Sequence, residues 1–174
     1  MTESRTNSEK ISNTLDKSEL AKEKKMLERI LAKDPDNYWA ISNYAIIHYE
    51  IKNYKEALKF SKKAMQHGKR DPLILNYHAV ILKANNNIKK AIEIWESLLE
   101  RDIYLIAFKD CTEGLKWAKS LLNDIRYNLS LAYFEVNDFK QARRLIRDHL
   151  KYRKQGQFSL YSKKDAIRML EKLS

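Results

Sequence analysis

The sequence predicts an all-α protein built as a solenoid of antiparallel helix pairs. The first observation is an internal repeat, because Ala45 is followed by Ala79 (79 − 45 = 34) and Ala57 by Ala91 (91 − 57 = 34) at one interval. An interval of 34 residues is the length of one helix–turn–helix unit in a solenoid. The second observation is that only 3 Gly and 2 Pro interrupt 174 residues that are rich in strong helix formers. The third is the lack of long polar–apolar alternation, which argues against a sheet.

The N-terminal part is expected to contain a leader and a half-repeat. Residues 1–17 have too few apolar side chains to order themselves, so we expect a flexible leader there. Residues 18–174 are expected to form one helical domain. From Ser18 to Lys33 the apolar residues recur at helical spacing, which predicts a single helix that precedes the first complete pair. Pro35 ends it, because the residue before a proline avoids the helical region.

Three complete helix pairs are expected after this half-repeat, over residues 38–71, 72–105 and 123–156. Polar turns, Lys52-Asn53 and Asn85-Asn86-Asn87, divide the first two pairs, and Asn137-Asp138 divides the third. Ala142 lies 51 residues after Ala91, which is one repeat of 34 and 17 more, so we expect an insert near residues 103–119. Thr112 is expected to cap a helix that starts near Glu113.

A short helix over residues 162–173 is expected to close the array, opened by a capping pattern from Ser162 to Asp165. The terminal units of a solenoid need a polar outer face, and this helix is expected to supply it.

Several classes of function are disfavoured by what the sequence lacks. The single cysteine, Cys111, cannot form an internal disulfide, which fits a reducing compartment, and a cytoplasmic location is expected. The clearly apolar run Tyr104–Phe108 is too short to cross a bilayer. We find no Cys/His cluster, no glycine-rich phosphate loop and no set of acid, base and nucleophile. The chain is therefore predicted not to be an enzyme, with no cofactor and no metal.

The repeat units resemble tetratricopeptide repeats (TPRs). The third unit is the clearest, with Tyr127-Asn128-Leu129-Ser130-Leu131-Ala132-Tyr133-Phe134 followed by Asn137-Asp138-Phe139 and Ala142. Matching places in the earlier units are held by Asn43-Tyr44-Ala45, Tyr49, Tyr54 and Ala57, and by Tyr77-His78-Ala79, Leu82, Ile88, Ala91 and Leu98. The resemblance implies that the alanines lie where two helices cross. The chain departs from the family where its signature glycine is replaced by Ala45, Ala79 and Ser130.

The resemblance also implies a concave groove that is lined by the first helix of each pair. Carried over by position, the groove residues are Trp39, Asn43, Ile46 and Tyr49, then Asn76, Tyr77, Val80 and Lys83, then Tyr127, Asn128, Leu131 and Phe134. Ile46, Val80 and Leu131 are equivalent places and are expected to form an apolar stripe that binds a peptide or helix of another protein. The side chains of Asn43 and Asn128 are expected to bind the backbone of that segment. The alternative is that a terminal segment of this same chain covers the stripe.

The net charge of +11 is uneven, since Lys140–Lys154 carries seven basic groups against Asp148. Three interpretations of these residues compete: a solvated face, a patch for an acidic protein partner, and a nucleic-acid surface. They are Lys140, Arg143, Arg144, Arg147, Lys151, Arg153 and Lys154.

Three functions remain open from the sequence: an adaptor that binds other proteins, a bacterial secretion-type chaperone for a secreted substrate, and a nucleic-acid binder that works through the basic residues of 140–154.

Overall fold

A computed structural model describes residues 17–173, and the predicted leader up to residue 16 lies outside them. The described residues form helices and turns without strands. The helices are α1 (Lys17–Lys33), α2 (Tyr38–Glu50), α3 (Tyr54–Gly68), α4 (Pro72–Ala84), α5 (Ile88–Leu99), α6 (Ile103–Leu105), a π-helical turn (Ile106–Asp110), α7 (Leu115–Glu135), α8 (Phe139–Lys154) and α9 (Lys163–Glu171). None of these helices is long and apolar enough to span a membrane.

Three helix pairs, α2–α3, α4–α5 and α7–α8, are each closed by the same turn. In each turn one residue adopts the left-handed conformation, with φ of 62° at Lys52, 61° at Asn86 and 63° at Asn137. The next backbone N–H then donates to a carbonyl five residues earlier, as Asn87 does to Leu82 at 2.9 Å. This closure satisfies carbonyls that the helix end leaves without a partner.

The alanines of the repeat lie at the helix crossings. Ala45, Ala57, Ala79, Ala91 and Ala142 are all 0% exposed. Small side chains let the two helices of a pair approach closely, and the apolar residues around them fill the space between pairs. The all-α solenoid, its preceding single helix, its insert and its closing helix are confirmed.

The insert between the second and third pairs is helical but irregular. Thr112 has φ of 60° and Gly114 has φ of 85°, so the chain cannot enter an α-helix before Leu115. The expectation that Thr112 caps a helix from Glu113 is therefore wrong, and Gly114 holds the N-cap position. The 21-residue helix α7 then runs without a break through the insert into the third pair.

The closing helix α9 packs against the third pair. Its side chains Ala166 and Met169 are buried in a cluster that also holds Tyr127, Ala142 and Ile146. The Ser162 side chain accepts a hydrogen bond from the Asp165 backbone N–H at 3.1 Å, which caps this helix as expected.

Candidate functional site

A groove of about 390 Å³ opens on the face to which α2, α4 and α7 each contribute side chains. Its floor contains Val80 and Leu131, both half-buried. Its lining is Tyr49, Tyr54, Val80, Lys83, Ala84, Asn86, Trp95, Asn128, Leu131 and Tyr161. Five of these residues, Tyr49, Val80, Lys83, Asn128 and Leu131, belong to the set that was carried over by position from the sequence. We call this surface the open groove.

The apolar stripe is shorter than the sequence suggested. Ile46 is only 6% exposed and packs with Ala45, Ala57 and Ile81 in the core between α2, α3 and α4. The side chain of Ile46 is therefore used in packing repeats together, and Val80 and Leu131 are the members of the stripe that line the open groove.

Two of the asparagines predicted to line the groove are buried and form hydrogen bonds within the chain. Asn43 is 1% exposed, and its Nδ2 donates to the Trp39 carbonyl at 2.8 Å. Asn76 is 7% exposed and its Oδ1 accepts a hydrogen bond from Trp95 Nε1 at 2.9 Å. The expectation that Asn43 binds the backbone of a partner is corrected on this ground, because the side chain offers no surface.

The connection between α8 and α9 crosses the same face of the protein. We call residues 157–161 the strap. The Tyr161 ring stacks on Tyr127 with centroids 4.2 Å apart, and its hydroxyl donates to Asn128 Oδ1 at 2.7 Å. The Leu160 backbone N–H donates to Asp124 Oδ1 at 3.1 Å. Tyr127 and Asn128, which were expected to bind a partner, are thus held by the chain itself.

The strap also closes the end of the face that lies beside the insert. Phe158 and Leu160 lie with Leu73 and Trp117 around a cavity of about 50 Å³. Tyr77 and Asn76 line the same cavity. One part of the concave face is therefore covered by this chain, whereas the open groove around Val80 and Leu131 is not.

The sequence analysis kept open that a terminal segment of this chain covers the stripe, but it did not single out residues 157–161, although a signal was present. Phe158, Leu160 and Tyr161 are three large apolar residues in a short segment that follows Gly156, which has φ of 84° and ends α8. Apolar side chains in a connecting segment indicate that the segment packs on the protein, but they do not indicate on which surface.

The electrostatics of the open groove come from one ion pair and from buried phenols. Lys83 Nζ lies 2.5 Å from Glu135 Oε1 and joins α4 to α7 at the groove edge. Burial raises the pKa of Tyr49, and the nearby Glu50 adds to this rise. Burial also raises the pKa of Tyr161 well above its usual range, with a further contribution from the Asp124 carboxylate. Both phenols therefore stay neutral hydrogen-bonding groups at physiological pH.

The remaining aromatic residues of the predicted groove pack elsewhere. Trp39 is half-buried against the cluster that contains Leu27 of α1. Phe134 packs against Phe139, with ring centroids 5.5 Å apart. Neither residue lines the open groove.

The predicted basic residues on α8 differ in their contacts and in their exposure. Arg153 Nη1 donates to the Tyr161 carbonyl at 2.6 Å, so this guanidinium holds the strap. Arg143 is half-buried and Arg144 Nε donates to Gln141 Oε1 at 2.9 Å. The exposed side chains are Lys140, Arg144, Arg147, Lys151 and Lys154.

Comparison with known proteins finds one family match. Residues 24–76 match the family model described as Tetratricopeptide repeat, a span from α1 to the first turns of α4. No match was found among curated proteins.

Two solved structures are similar to part of this chain. The C-terminal part of a TPR repeat-containing protein from Cytophaga hutchinsonii is similar over 76% of this chain and 59% of that chain, with 16% identity and a TM-score of 0.42. The structure of Naa15/Naa10 bound to HypK-THB is similar over 85% of this chain and 24% of that chain, with 19% identity and a TM-score of 0.42. This chain thus spans less than two thirds of the length of either structure.

Proposed function

We propose that this chain, whose residues 24–76 match the tetratricopeptide repeat model, is a non-catalytic adaptor that holds a segment of another protein in the open groove. The observation that carries the proposal is the groove of about 390 Å³ to which the first helix of each pair contributes. Side chains from three successive repeats converge there, as expected of a solenoid's binding face. A cytoplasmic location is part of this proposal.

The chemistry of the lining supports an extended segment with apolar or aromatic side chains. Val80 and Leu131 form an apolar floor, and Tyr49 and Tyr54, whose ring centroids are 5.8 Å apart, form a wall. Tyrosines of this kind supply rigid area and a hydrogen-bonding hydroxyl at low entropic cost.

The strap offers an example of how this face accommodates a non-helical segment. Leu160 donates its backbone N–H to a carboxylate of α7, and Tyr161 stacks on a tyrosine of α7. A partner segment in the open groove would lie beside Tyr161, since that ring also lines the groove. The volume corresponds to a small ligand pocket, so we expect a few side chains of the partner to enter it.

The experiment is a selection of random peptides displayed on phage against the purified full chain, followed by fluorescence anisotropy with the selected peptides. We expect Val80→Arg and Leu131→Arg to weaken binding at least about tenfold. The arginine side chain would occupy the space above the apolar floor, and a bound segment would strip water from its charge without offering a partner. Ile51→Arg is the matched control, since Ile51 is 52% exposed and lies outside the lining. Thermal melting monitored by circular dichroism checks that each variant folds.

Selected peptides that bind both groove variants as tightly as the wild-type chain would contradict the proposal. The structure adds no contact that favours a chaperone for secreted substrates over other protein-binding functions. Nucleic acid is a competing occupant of the basic surface of α8.

A further inference from the structure

A second groove lies between α8 and α9, away from the concave face. Its volume is about 510 Å³, and its floor consists of Leu150 from α8 and of Ile167 and Leu170 from α9. Ile167 is 39% exposed, which is high for an isoleucine at the centre of such a floor. Helix α9 has nine residues and α8 has 16, so the shorter helix leaves part of the α8 surface uncovered.

The rim of this groove is entirely cationic. Arg147, Lys151 and Lys154 come from α8 at intervals of three and four residues, which places them on one helix face. Lys163 at the start of α9 faces them across the floor. All four side chains are exposed, and within residues 17–173 none has a carboxylate at ion-pair distance.

These observations favour an acidic protein over the other possible occupants. A second copy of this chain would bring a net charge of +11 to a cationic rim, so electrostatic repulsion opposes that contact. Nucleic acid would satisfy the cations but would leave the exposed side chain of Ile167 in water. Stacking of bases needs exposed aromatic rings, and the lining of this groove contains none.

We infer that the α8–α9 groove is a second interaction surface, which binds an acidic amphipathic helix of a partner protein. Apolar side chains of that helix lie on Leu150, Ile167 and Leu170, and its flanking carboxylates pair with the four rim cations. Arg147 to Lys154 spans two helical turns, about 10 Å, which matches anchors at positions i, i+3 or i+4, and i+7 of the partner. This surface is separate from the open groove, and the inference does not depend on what binds there.

The test uses a synthetic amphipathic peptide of about five helical turns, with leucines at the anchor spacing and glutamates on both flanks. A second peptide carries glutamine in place of every glutamate. We expect the acidic peptide to bind the full chain and the glutamine peptide to bind at least about tenfold more weakly, as measured by fluorescence anisotropy.

Two pairs of variants locate the binding. Lys151→Glu/Lys154→Glu should weaken binding of the acidic peptide at least about tenfold. Lys89→Glu/Lys90→Glu, on the exposed face of α5, changes the net charge equally and should leave it unaffected. Ile167→Ser should weaken it about fivefold or more through loss of apolar contact, whereas Ile51→Ser, at a more exposed apolar site elsewhere, should not.

Four results would overturn the inference. The first is an acidic peptide that does not bind, and the second is equal weakening by both charge-reversal pairs. The third is binding of oligothymidine or of phosphatidylserine vesicles that is lost in Lys151→Glu/Lys154→Glu but retained in Ile167→Ser, which would assign the cations to phosphate groups. The fourth is sedimentation of the wild-type chain as a dimer that Ile167→Ser dissociates, which would place a second copy on the groove.

Discussion

The hydrogen bond between Tyr161 and Asn128 gives a sharp test of whether the strap is held as the structure shows. The Tyr161 hydroxyl donates to Asn128 Oδ1 at 2.7 Å, and the Asn128 side chain is 7% exposed. Its Nδ2 atom is buried and makes no hydrogen bond with the described residues. Replacing Tyr161 with phenylalanine keeps the ring that stacks on Tyr127 but removes the only hydrogen bond that the structure gives the Asn128 amide.

The expected cost follows from the burial of that amide. An ordinary hydrogen bond contributes about 0.5–1.5 kcal/mol, but a buried group left without a partner costs about 1–3 kcal/mol. We therefore expect Tyr161→Phe to lower the free energy of unfolding by about 1–2 kcal/mol. The double variant Tyr161→Phe/Asn128→Leu removes both polar groups at similar volume, so it should cost less than Tyr161→Phe alone.

The assay is urea denaturation of the full chain, followed by far-ultraviolet circular dichroism, for the wild type, both single variants and the double variant. For a chain of this size each kcal/mol corresponds to a change of about 2–4 °C in Tm, so thermal melting serves as a second measurement. Tyr104→Phe is the control, because Tyr104 is 61% exposed and should change stability by less than about 0.5 kcal/mol. Unchanged stability in Tyr161→Phe, or a double variant that costs the sum of the two single ones, would refute the reasoning.

Three further predictions concern the repeats. Burial lowers the pKa of His78 from 6.5 to about 4, with a smaller effect of Lys62, so the folded state keeps this ring neutral while the unfolded chain takes up a proton. The contribution of neutral His78 to the free energy of unfolding is therefore fully present above pH 6.5 and is lost as the pH falls towards 4. After solvent screening we expect urea titrations to show a loss of about 1 kcal/mol between pH 7.5 and 5. The loss should be smaller in His78→Gln. Lys52 and Asn86 share the left-handed conformation, which asparagine tolerates better, so Lys52→Asn should raise the free energy of unfolding by about 0.5–1 kcal/mol and Asn86→Lys should lower it similarly. Opposite signs would contradict this explanation of the turns. Ala91→Phe should overpack a fully buried helix crossing and cost about 1–3 kcal/mol or more, and an unchanged urea midpoint would show that the crossing has room.

The repeat architecture was accessible from the sequence because each unit encodes it locally. Ala57 and Ala91 are separated by one repeat, and the small side chain is required wherever two neighbouring helices cross. The turns at Lys52 and Asn86 recur at the same interval, since the same closure ends each first helix. A period and a set of turn residues are properties of contiguous sequence, and both were sufficient to predict helix pairs.

The start of α7 was not accessible in the same way. Threonine commonly caps helices, but the backbone of Thr112 lies in the left-handed region. The N-cap is Gly114 instead, and the helix begins at the next residue. Capping residues indicate where a helix can begin, whereas the surrounding insert, with Ile106 and Ala107 fully buried, decided where it does begin.

The face formed by α2, α4 and α7 separates what the sequence predicts from what the tertiary structure decides. The sequence by itself determined that α2, α4 and α7 each carry an apolar side chain at an equivalent place. Only the tertiary structure decided that Ile46 is buried against Ile81, and that Tyr161 of the strap covers Tyr127 while Val80 stays on an open groove. The physical reason is that periodicity shows only which face of a helix is apolar, whereas burial depends on which residues lie opposite that face. Here the residues opposite α7 belong to the strap, more than thirty residues away in the chain.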